Sequence, residues 1–287
     1  MNMTETNTDR LTTYESDNVL KQGYFRIFRE IFSEILRNRW LTLQLFKRDL
    51  FATYKQSFIG VFWALIIPLV SVGTFIVLNR SGILSIGEIS TPYGIYAVLG
   101  MAFWQLFSTG LISSSNSLVK AGSMIVKINF SKKSLVIASL GHSLVSCLIQ
   151  LLLVFILFVF YGKSPTWYVC LLPVLVLPII FLTAGLGFIL SVLNGIMRDI
   201  GSAISIILTF LMFLTPVLYA KPQTGAMAKI TKYNILYYLV AFPRDLILTG
   251  STAELKGYLI ASGIAVLVLM ACLFSFHLAE TRVTERI

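Results

Sequence analysis

The sequence predicts an all-α membrane protein with six transmembrane helices, an N-terminal amphipathic interface helix and a re-entrant helical segment before the last span. Of its 287 residues, 56% are hydrophobic and only 13% are charged, whereas a soluble domain carries about a quarter charged residues. The mean hydropathy is +0.82. The apolar residues form runs of about 20 residues, the length that crosses roughly 30 Å of hydrocarbon.

Positive charge is spread over short loops between the apolar runs. The formal net charge is +10, but no compact basic domain of the kind that binds nucleic acid is present. With the N-terminus in the cytosol, the cytosolic segments hold 16 of the 23 lysine and arginine residues. This excess follows the positive-inside rule and predicts an inner (plasma) membrane protein with cytosolic N- and C-termini.

The region before the first span divides into two parts. Residues 1–22 are polar, so we expect a flexible cytosolic tail without a signal peptide. Residues 23–57 form the predicted interface helix region, because apolar side chains between Tyr24 and Trp40 recur at helical spacing opposite a charged face. Such a helix lies along a membrane surface. The alternative is a core helix of a soluble domain.

The transmembrane domain is predicted over residues 58–278, with a cytosolic C-terminal tail at 279–287. A loop at 119–133 carries four lysines and is expected in the cytosol. The predicted spans are about 58–79, 94–118, 134–161, 167–193, 201–220 and 256–278.

The external stretch 221–250 is too apolar for a solvated loop, yet Pro222, Gly225 and Pro243 interrupt it. Its run from Asn234 to Phe242 would extend about 14 Å as a helix, which is too short to cross. We therefore predict a re-entrant pair of short helices, which membranes tolerate where the backbone is buried in protein or lines a water-filled cavity. A loop resting on the membrane surface is the alternative.

The chain lacks the patterns expected of an enzyme. Its three cysteines lie within apolar runs, without the spacing of a metal site or a disulfide framework. A phosphate-binding loop needs G-x-x-x-x-G-K-S/T, but the Gly-Lys-Ser of residues 162–164 has Leu157 in place of the first glycine. We therefore expect no catalytic site, no metal and no cofactor in this chain, and no ATP hydrolysis by it.

Four stretches resemble one family, the polysaccharide-exporting ABC transporter permeases that export O-antigen, capsular polysaccharide or teichoic acid. YKQSFIGVFWALIIPLV resembles the opening of their first span, and VLGMAFWQLFSTGL resembles their second. RDIGSAISIILTFLMFLTPVLYA is similar to their fifth span, and KYNILYYLVAFPRDLIL to the segment before their last. The resemblance covers roughly residues 40–250. Two positions depart from it: Ser131 stands where proline is frequent, and Ile235 replaces the proline of an Asn-Pro pair.

The resemblance implies a half-transporter that pairs with a second copy of itself, with the translocation path between the copies. Two copies of a separate nucleotide-binding ATPase would use the ATP, and the substrate would be a lipid-linked glycan. One alternative is an ABC permease that exports a small drug or lipid. Another is a membrane-embedded glycosyl- or acyltransferase, which would need acid and base residues that this chain hardly offers at a membrane face.

Two cytosolic sites follow from the resemblance and the charges. Ile128 and Phe130 of the 119–133 loop, called here the apolar pin, are flanked by lysines and are expected to dock on the ATPase. The alternative is that the lysines only set the orientation of the chain in the membrane. This coupling site comprises Lys120, Lys127, Ile128, Asn129, Phe130, Lys132 and Lys133. Arg48 and Lys55 flank the entry of the first span and would bind a lipid pyrophosphate or ordinary anionic phospholipid.

Two further sites concern the path and its exit. Aromatic rings and hydroxyls of the second span are candidates for contact with a sliding glycan, although they also suit interfacial belts and helix packing. These path candidates are Phe103, Trp104, Phe107, Ser114 and Ser117. The expected external gate comprises Ile235, Tyr237, Tyr238, Phe242, Arg244 and Asp245. Within it, Arg244 and Asp245 would anchor the return helix, because a paired charge at membrane depth costs less than an isolated one.

Polar and small residues elsewhere are assigned to packing. We expect His142 and Gln150 of the third span to be satisfied polar residues between helices rather than a proton relay. In the fourth span, Gly185, Gly187, Ser191 and Gly195 form a predicted packing seam.

Overall fold

A computed structural model describes residues 24–55, 62–82, 86–87, 89–122 and 131–283, and every regular element among them is helical. The predicted N-terminal tail, the start of the first predicted span and most of the 119–133 loop lie outside the described residues. The helices are α1 (Tyr24–Arg37), α2 (Arg39–Lys55), α3 (Trp63–Arg80), α4 (Tyr93–Ser115), α5 (Ser117–Lys120), α6 (Lys132–Phe160), α7 (Leu172–Ile196), α8 (Asp199–Leu214), α9 (Gly225–Tyr233), α10 (Ile235–Thr249) and α11 (Leu255–Val283), with a 3₁₀ turn at Trp167–Leu171.

Within the described part of the chain, four helical segments are long and apolar enough to cross a membrane. They are Tyr93–Ser115, Lys132–Phe160, Trp167–Ile196 and Leu255–Ala279, and they fall on the predicted second, third, fourth and sixth spans. Shorter apolar helices, Leu65–Arg80 and Asp199–Leu214, fall on the predicted first and fifth spans. The predicted fifth span, 201–220, is wrong over its last six residues, because the helix ends at Leu214. Sixteen helical residues extend about 24 Å, less than a typical hydrocarbon core. The count of six spans therefore stays a prediction.

Helix α4 is the centre of the bundle and packs against α3, α6, α7, α8 and α10. Its residues from Ile95 to Phe107 are all buried. Close approach depends on small residues: a Cβ added at Gly110 would lie 2.8 Å from Thr183 Cγ2 of α7 and 2.9 Å from Ser143 Oγ of α6. Backbones that approach this closely gain packing contact in a medium without a hydrophobic driving force between helices.

The predicted seam on α7 is confirmed at three of its four positions. A Cβ at Gly185 would lie 2.8 Å from the backbone Cα of Leu269 in α11, and one at Gly187 would collide with the Ser114 side chain of α4. Ser191 is fully buried. Helix α7 therefore joins α4 to α11 through its small residues.

A polar pair crosses the interior between α4 and α6. The side-chain amide of Gln150 donates a hydrogen bond to Oε1 of Gln105, and both residues are buried. This confirms the position between helices expected for Gln150, but its Oε1 has no hydrogen-bond partner among the described residues, so the expected satisfaction is only partial. His142, about two turns closer to the start of α6, is half-buried.

One end of the bundle, called here the α1 end, is closed by the two helices that precede α3. The apolar stripe of α1 buries Ile27 and Ile31 in a cluster with Leu135 of α6 and Phe276 of α11. The Phe46 ring of α2 lies where a side chain at Gly141 of α6 would be. The amphipathic pattern of α1 therefore covers the ends of this chain's own helices.

The opposite end, called the α10 end, contains the α9–α10 pair. The interruption predicted at Pro243 is wrong, since α10 continues through it to Thr249. A proline removes one intrahelical hydrogen bond and strains the preceding turn, but residues on both sides of Pro243 are buried and fix the helix by packing. At about 22 Å, α10 remains too short to cross. It packs against α4, α7 and α11.

Both departures from the family pattern keep a backbone that suits proline. Ser131 precedes α6 with φ of −63°, the value that a proline ring imposes. Ile235 is the first residue of α10, a position that favours proline. Asn234 caps this helix, because its Oδ1 accepts a hydrogen bond from the Leu236 amide at 3.0 Å.

Candidate functional site

The candidate site at the α10 end is built around the non-helical residues 215–220, called here the break segment, which follow α8. Tyrosines of α4 satisfy two of its carbonyl groups: Tyr93 donates to Leu218 O at 2.9 Å and Tyr96 donates to Tyr219 O at 3.1 Å. The amide of Ala220 donates to Ile86 O at 2.8 Å. Irregular backbone within a membrane protein requires such partners, because an unsatisfied group in apolar surroundings costs several kcal/mol.

Arg244 of α10 supplies the largest share of these contacts. Its Nη1 donates to the carbonyls of Pro216 and Val217, at 3.3 and 3.1 Å, while Nε lies 2.8 Å from Asp245 Oδ1. The guanidinium also stacks 3.8 Å from the ring centroid of Tyr96. Arg244 is only 2% exposed, so this carboxylate, these carbonyls and this ring face together compensate a buried charge.

The predicted gate residues lie together on α10. Phe242 stacks on Tyr258 of α11 at 4.5 Å between ring centroids. The hydroxyl of Tyr237 donates to Glu254 at 3.2 Å, and Glu254 also forms an ion pair with Lys221. Tyr238 donates to Lys232 O at 2.8 Å, whereas Ile235 is half-buried at the start of α10. Asp245 pairs with Arg244 as expected; the gating role of the group stays a prediction.

A second group of polar contacts fixes the start of α8. Asn194, at the end of α7, accepts a hydrogen bond from the Gly201 amide at 2.8 Å. Its Nδ2 donates to Ser115 O and to Asn116 Oδ1, each at 3.1 Å. One buried amide side chain thereby joins the ends of α4 and α7 to the first turn of α8.

The coupling residues are described only in part. Lys127, Ile128, Asn129 and Phe130 lie outside the described residues. Lys120 ends α5, and Lys132 is buried at the start of α6. Lys133 is 1% exposed, and its Nζ lies 2.8 Å from Glu34 Oε2 of α1. The structure thus places Lys133 inside the chain, where it attaches α1 to the residues that follow the loop.

The electrostatics of Glu34 reflect this contact. Burial alone would raise the pKa of its carboxyl, but the hydrogen bond and charge of Lys133 bring the pKa of Glu34 below its usual value. The ionised carboxylate is therefore the form that the fold stabilises.

Arg48 of the predicted lipid-entry pair has a neighbouring counter-charge. Its Nε and Nη2 lie 2.9 and 2.8 Å from Asp49 Oδ1. The side chain of Lys55 lies outside the described part of the chain. The prediction that both residues bind an anion therefore stays open.

The five path candidates of α4 and α5 are all buried within a single copy of the chain. Trp104 and Phe107 pack with their ring centroids 5.9 Å apart. The hydroxyls of Ser114 and Ser117 donate to backbone carbonyls one turn earlier, both at 2.7 Å. Phe103 is fully buried beside them. In this packing they contact neighbouring helices, and their role in a path stays a prediction.

Sequence reasoning missed Tyr93, Tyr96, Asn194 and Glu34. The two tyrosines lie three residues apart at the start of a span, where aromatic residues are usually assigned to the interfacial belt. Once Pro216 is recognised as the start of irregular backbone, its unpaired carbonyls call for donors on the adjacent span ends. That requirement is the signal that points to the two tyrosines.

Comparison with known proteins gives consistent results. The profile of the family described as "ABC-2 type transporter" matches residues 35–248. An "O-antigen export system permease protein RfbA" of Myxococcus xanthus is 31% identical over 190 residues, which cover 65% of this chain and 70% of the relative. Two proteins of the same name from Klebsiella pneumoniae are 26% and 25% identical over 218 and 217 residues. Those alignments cover 74% and 73% of this chain and 81% of each relative.

Replacing Arg244 by lysine is expected to destabilise the break segment. Lysine keeps the charge but loses the planar fork that reaches two carbonyls and a carboxylate together. We expect a loss of about 2 kcal/mol, with faster amide hydrogen exchange at residues 215–220 in detergent-purified protein. Arg80→Lys, at the exposed end of α3, is the control. Unchanged exchange in Arg244→Lys would refute the anchoring role.

The Glu34–Lys133 pair predicts a pH-dependent stability difference. Because the folded-state pKa of Glu34 lies below its ordinary value of 4.5, the carboxylate stabilises the fold above that pH and loses this effect as pH falls through the folded-state pKa. Glu34→Gln should therefore be less stable than wild type by about 1–3 kcal/mol at pH 7. The gap should narrow below pH 4.5 in thermal unfolding. Glu30→Gln on the same helix is the control, and a gap independent of pH would contradict the assignment.

Proposed function

Because the chain belongs to the ABC-2 type transporter family, we propose that it is the permease subunit of an ABC exporter for a lipid-linked polysaccharide of the O-antigen kind. The names of the three relatives support this substrate class. The polysaccharide moves from the cytosol across the inner (plasma) membrane. The observation that carries the proposal is the α9–α10 pair, a helical element packed into one end of an otherwise spanning bundle.

The orientation follows from charge. The α1 end is the cytosolic end, since the segments there hold most of the lysine and arginine residues. The α10 end is then external. Six crossings, with α3 and α8 as the shorter first and fifth, place both termini in the cytosol.

Transport requires partners. A second copy of the chain encloses the path, and exposed apolar rows support such pairing: Ile67 and Val70 on α3, and Ile206, Phe210 and Phe213 on α8. Two ATPase subunits bind ATP and dock on the loop around Phe130. The Glu34–Lys133 contact holds the end of that loop against α1, so that movement of the loop reaches the bundle through α6.

Different residues act at the cytosolic start and at the external end of the translocation path. Arg48 and Lys55 receive the phosphate of the lipid anchor at the cytosolic face. The aromatic and hydroxyl residues of α4 face the glycan only when their present packing opens. At the external end, the exit is closed by the six predicted gate residues: Ile235, Tyr237, Tyr238, Phe242, Arg244 and Asp245. The hydrogen bond from Tyr237 to Glu254 and the ring contact of Phe242 with Tyr258 hold α10 shut at rest, and their loss opens it.

The test of the function uses Phe130→Asp. A host that lacks this chain should accumulate lipid-linked polysaccharide at the cytosolic face, and the wild-type chain should restore its display on the surface. Phe130→Asp should reduce display at least tenfold while membrane insertion persists, because the loop lies outside hydrocarbon. ATP hydrolysis should continue uncoupled. Phe130→Leu keeps the apolar pin and should transport normally; normal display by Phe130→Asp would remove the loop from the docking site.

A cysteine scan tests the gate. In a background without native cysteines, cysteine at Ile235, Tyr238 or Phe242 should react slowly with an external thiol reagent at rest. Labelling should accelerate during ATP turnover with substrate. Tyr233→Cys is the control, since Tyr233 is 81% exposed and should label rapidly in both states. Labelling at the three test positions that is fast and indifferent to ATP would show a surface loop.

A further inference from the structure

A crevice of about 770 Å³ lies behind α8 at the α10 end. Its walls are leucines of two helices, Leu182 and Leu186 of α7 and Leu211 and Leu214 of α8. Phe107 of α4 contributes to its inner surface. The α9 helix and the start of α10 form its rim, with Lys229, Tyr233 and Asn234.

We expect this crevice to be neither filled with water nor empty. Protein interiors are packed as densely as organic crystals, and a bound water needs two to four polar partners. The side chain of Asn234 is already used, since it donates to Thr215 Oγ1 at 2.8 Å and caps α10. The remaining polar groups of the lining, on Lys229 and Tyr233, lie at the rim. An apolar chain is therefore the occupant that suits the walls.

The rim carries positive charge. Within the described part of the chain, Lys229 has neither a hydrogen bond nor an ion pair to its side chain. Two acidic side chains of the α10 end already have basic partners, Asp245 with Arg244 and Glu254 with Lys221. An ammonium at the mouth of an apolar crevice complements an amphiphile whose head is anionic.

A second copy of the chain does not suit this position. Leu211 and Leu214 are half-buried and lie about one helical turn apart, on the face of α8 that also carries exposed Ile207. The large exposed residues Ile206, Phe210 and Phe213 form another row, which a second copy would cover. The crevice is open beside the last turn of α8, where a lipid chain can enter from the bilayer.

We propose that this crevice binds an anionic phospholipid of the surrounding membrane. One acyl chain lies between α7 and α8, and the phosphate binds the ammonium of Lys229. The lipid is a resident of the transporter, distinct from its cargo. It fills the crevice between α7 and the last turn of α8 and supports that turn.

The test uses the full chain in phosphatidylcholine nanodiscs that contain phosphatidylglycerol with a photoreactive diazirine in its acyl chain. Illumination should produce adducts on peptides of α7 around Leu182 and of α8 around Leu211. Lys229→Gln should lower their yield about fivefold, the effect of about one lysine near a charged headgroup. Lys232→Gln removes the same charge from the same helix outside the crevice and should change the yield less than twofold.

Filling variants supply an independent measurement. Leu211→Trp should abolish the adducts in protein that elutes as wild type does, and Leu186→Phe serves where the first variant does not fold. Adducts absent from α7 and α8, or equal effects of the two lysine variants, would overturn the proposal. So would displacement of the probe by excess polyisoprenyl phosphate, which would make the crevice a site for cargo lipid. Because binding is measured without transport, these outcomes are independent of the proposed export function.

Discussion

The structure depends on the satisfaction of backbone polar groups where the chain leaves helical geometry inside an apolar bundle. After Leu214 the backbone is irregular for the ten residues before α9, and a carbonyl left unpaired in apolar surroundings costs several kcal/mol. The tyrosine hydroxyls of α4 and the guanidinium of Arg244 meet that demand. The donors and the break segment come from three distant parts of the sequence, so the break segment can form only when α4, α8 and α10 are already assembled. The position of α10 in the bundle follows from this requirement as much as from its apolar face.

The two ends of the bundle use charge differently. At the α1 end, a buried lysine meets a glutamate on a separate helix, and removal of either leaves an uncompensated ion. At the α10 end, the arginine and its aspartate are adjacent in sequence, and the arginine extends further to backbone carbonyls and a ring. The first arrangement joins two helices across 99 residues of sequence. The second fixes irregular backbone against the helix that carries the charge.

Much of the architecture was predictable from the sequence, for identifiable reasons. The long spans and the amphipathic α1 were visible because hydrophobic length and 3.6-residue spacing are local properties. The small residues of α7 showed where helices approach. By contrast, the continuity of α10 through Pro243 depends on burial by neighbouring helices, which overrides a local signal against helix. The Glu34–Lys133 pair and the use of Tyr93 and Tyr96 as donors are long-range contacts without periodic signature. For the same reason, the sequence indicated aromatic and hydroxyl residues on α4 without indicating that they face inward.

The two fixed ends of α8 have a mechanical consequence. Asn194 restrains its first turn, while Asn234 and the break segment restrain its last. Between those restraints, Ile204 and Leu208 pack into the core, and only the last turn borders the crevice, through Leu211 and Leu214. Helix α8 is therefore fixed at both ends, and its last turn is less tightly packed on the side that borders the crevice. The movements of α8 that cost the least free energy are bending and rotation about its own axis. Translation of the whole helix would break the polar contacts at both of its ends. Any widening of the space beside α8 is thus greatest near the middle of the helix and smallest at its two ends.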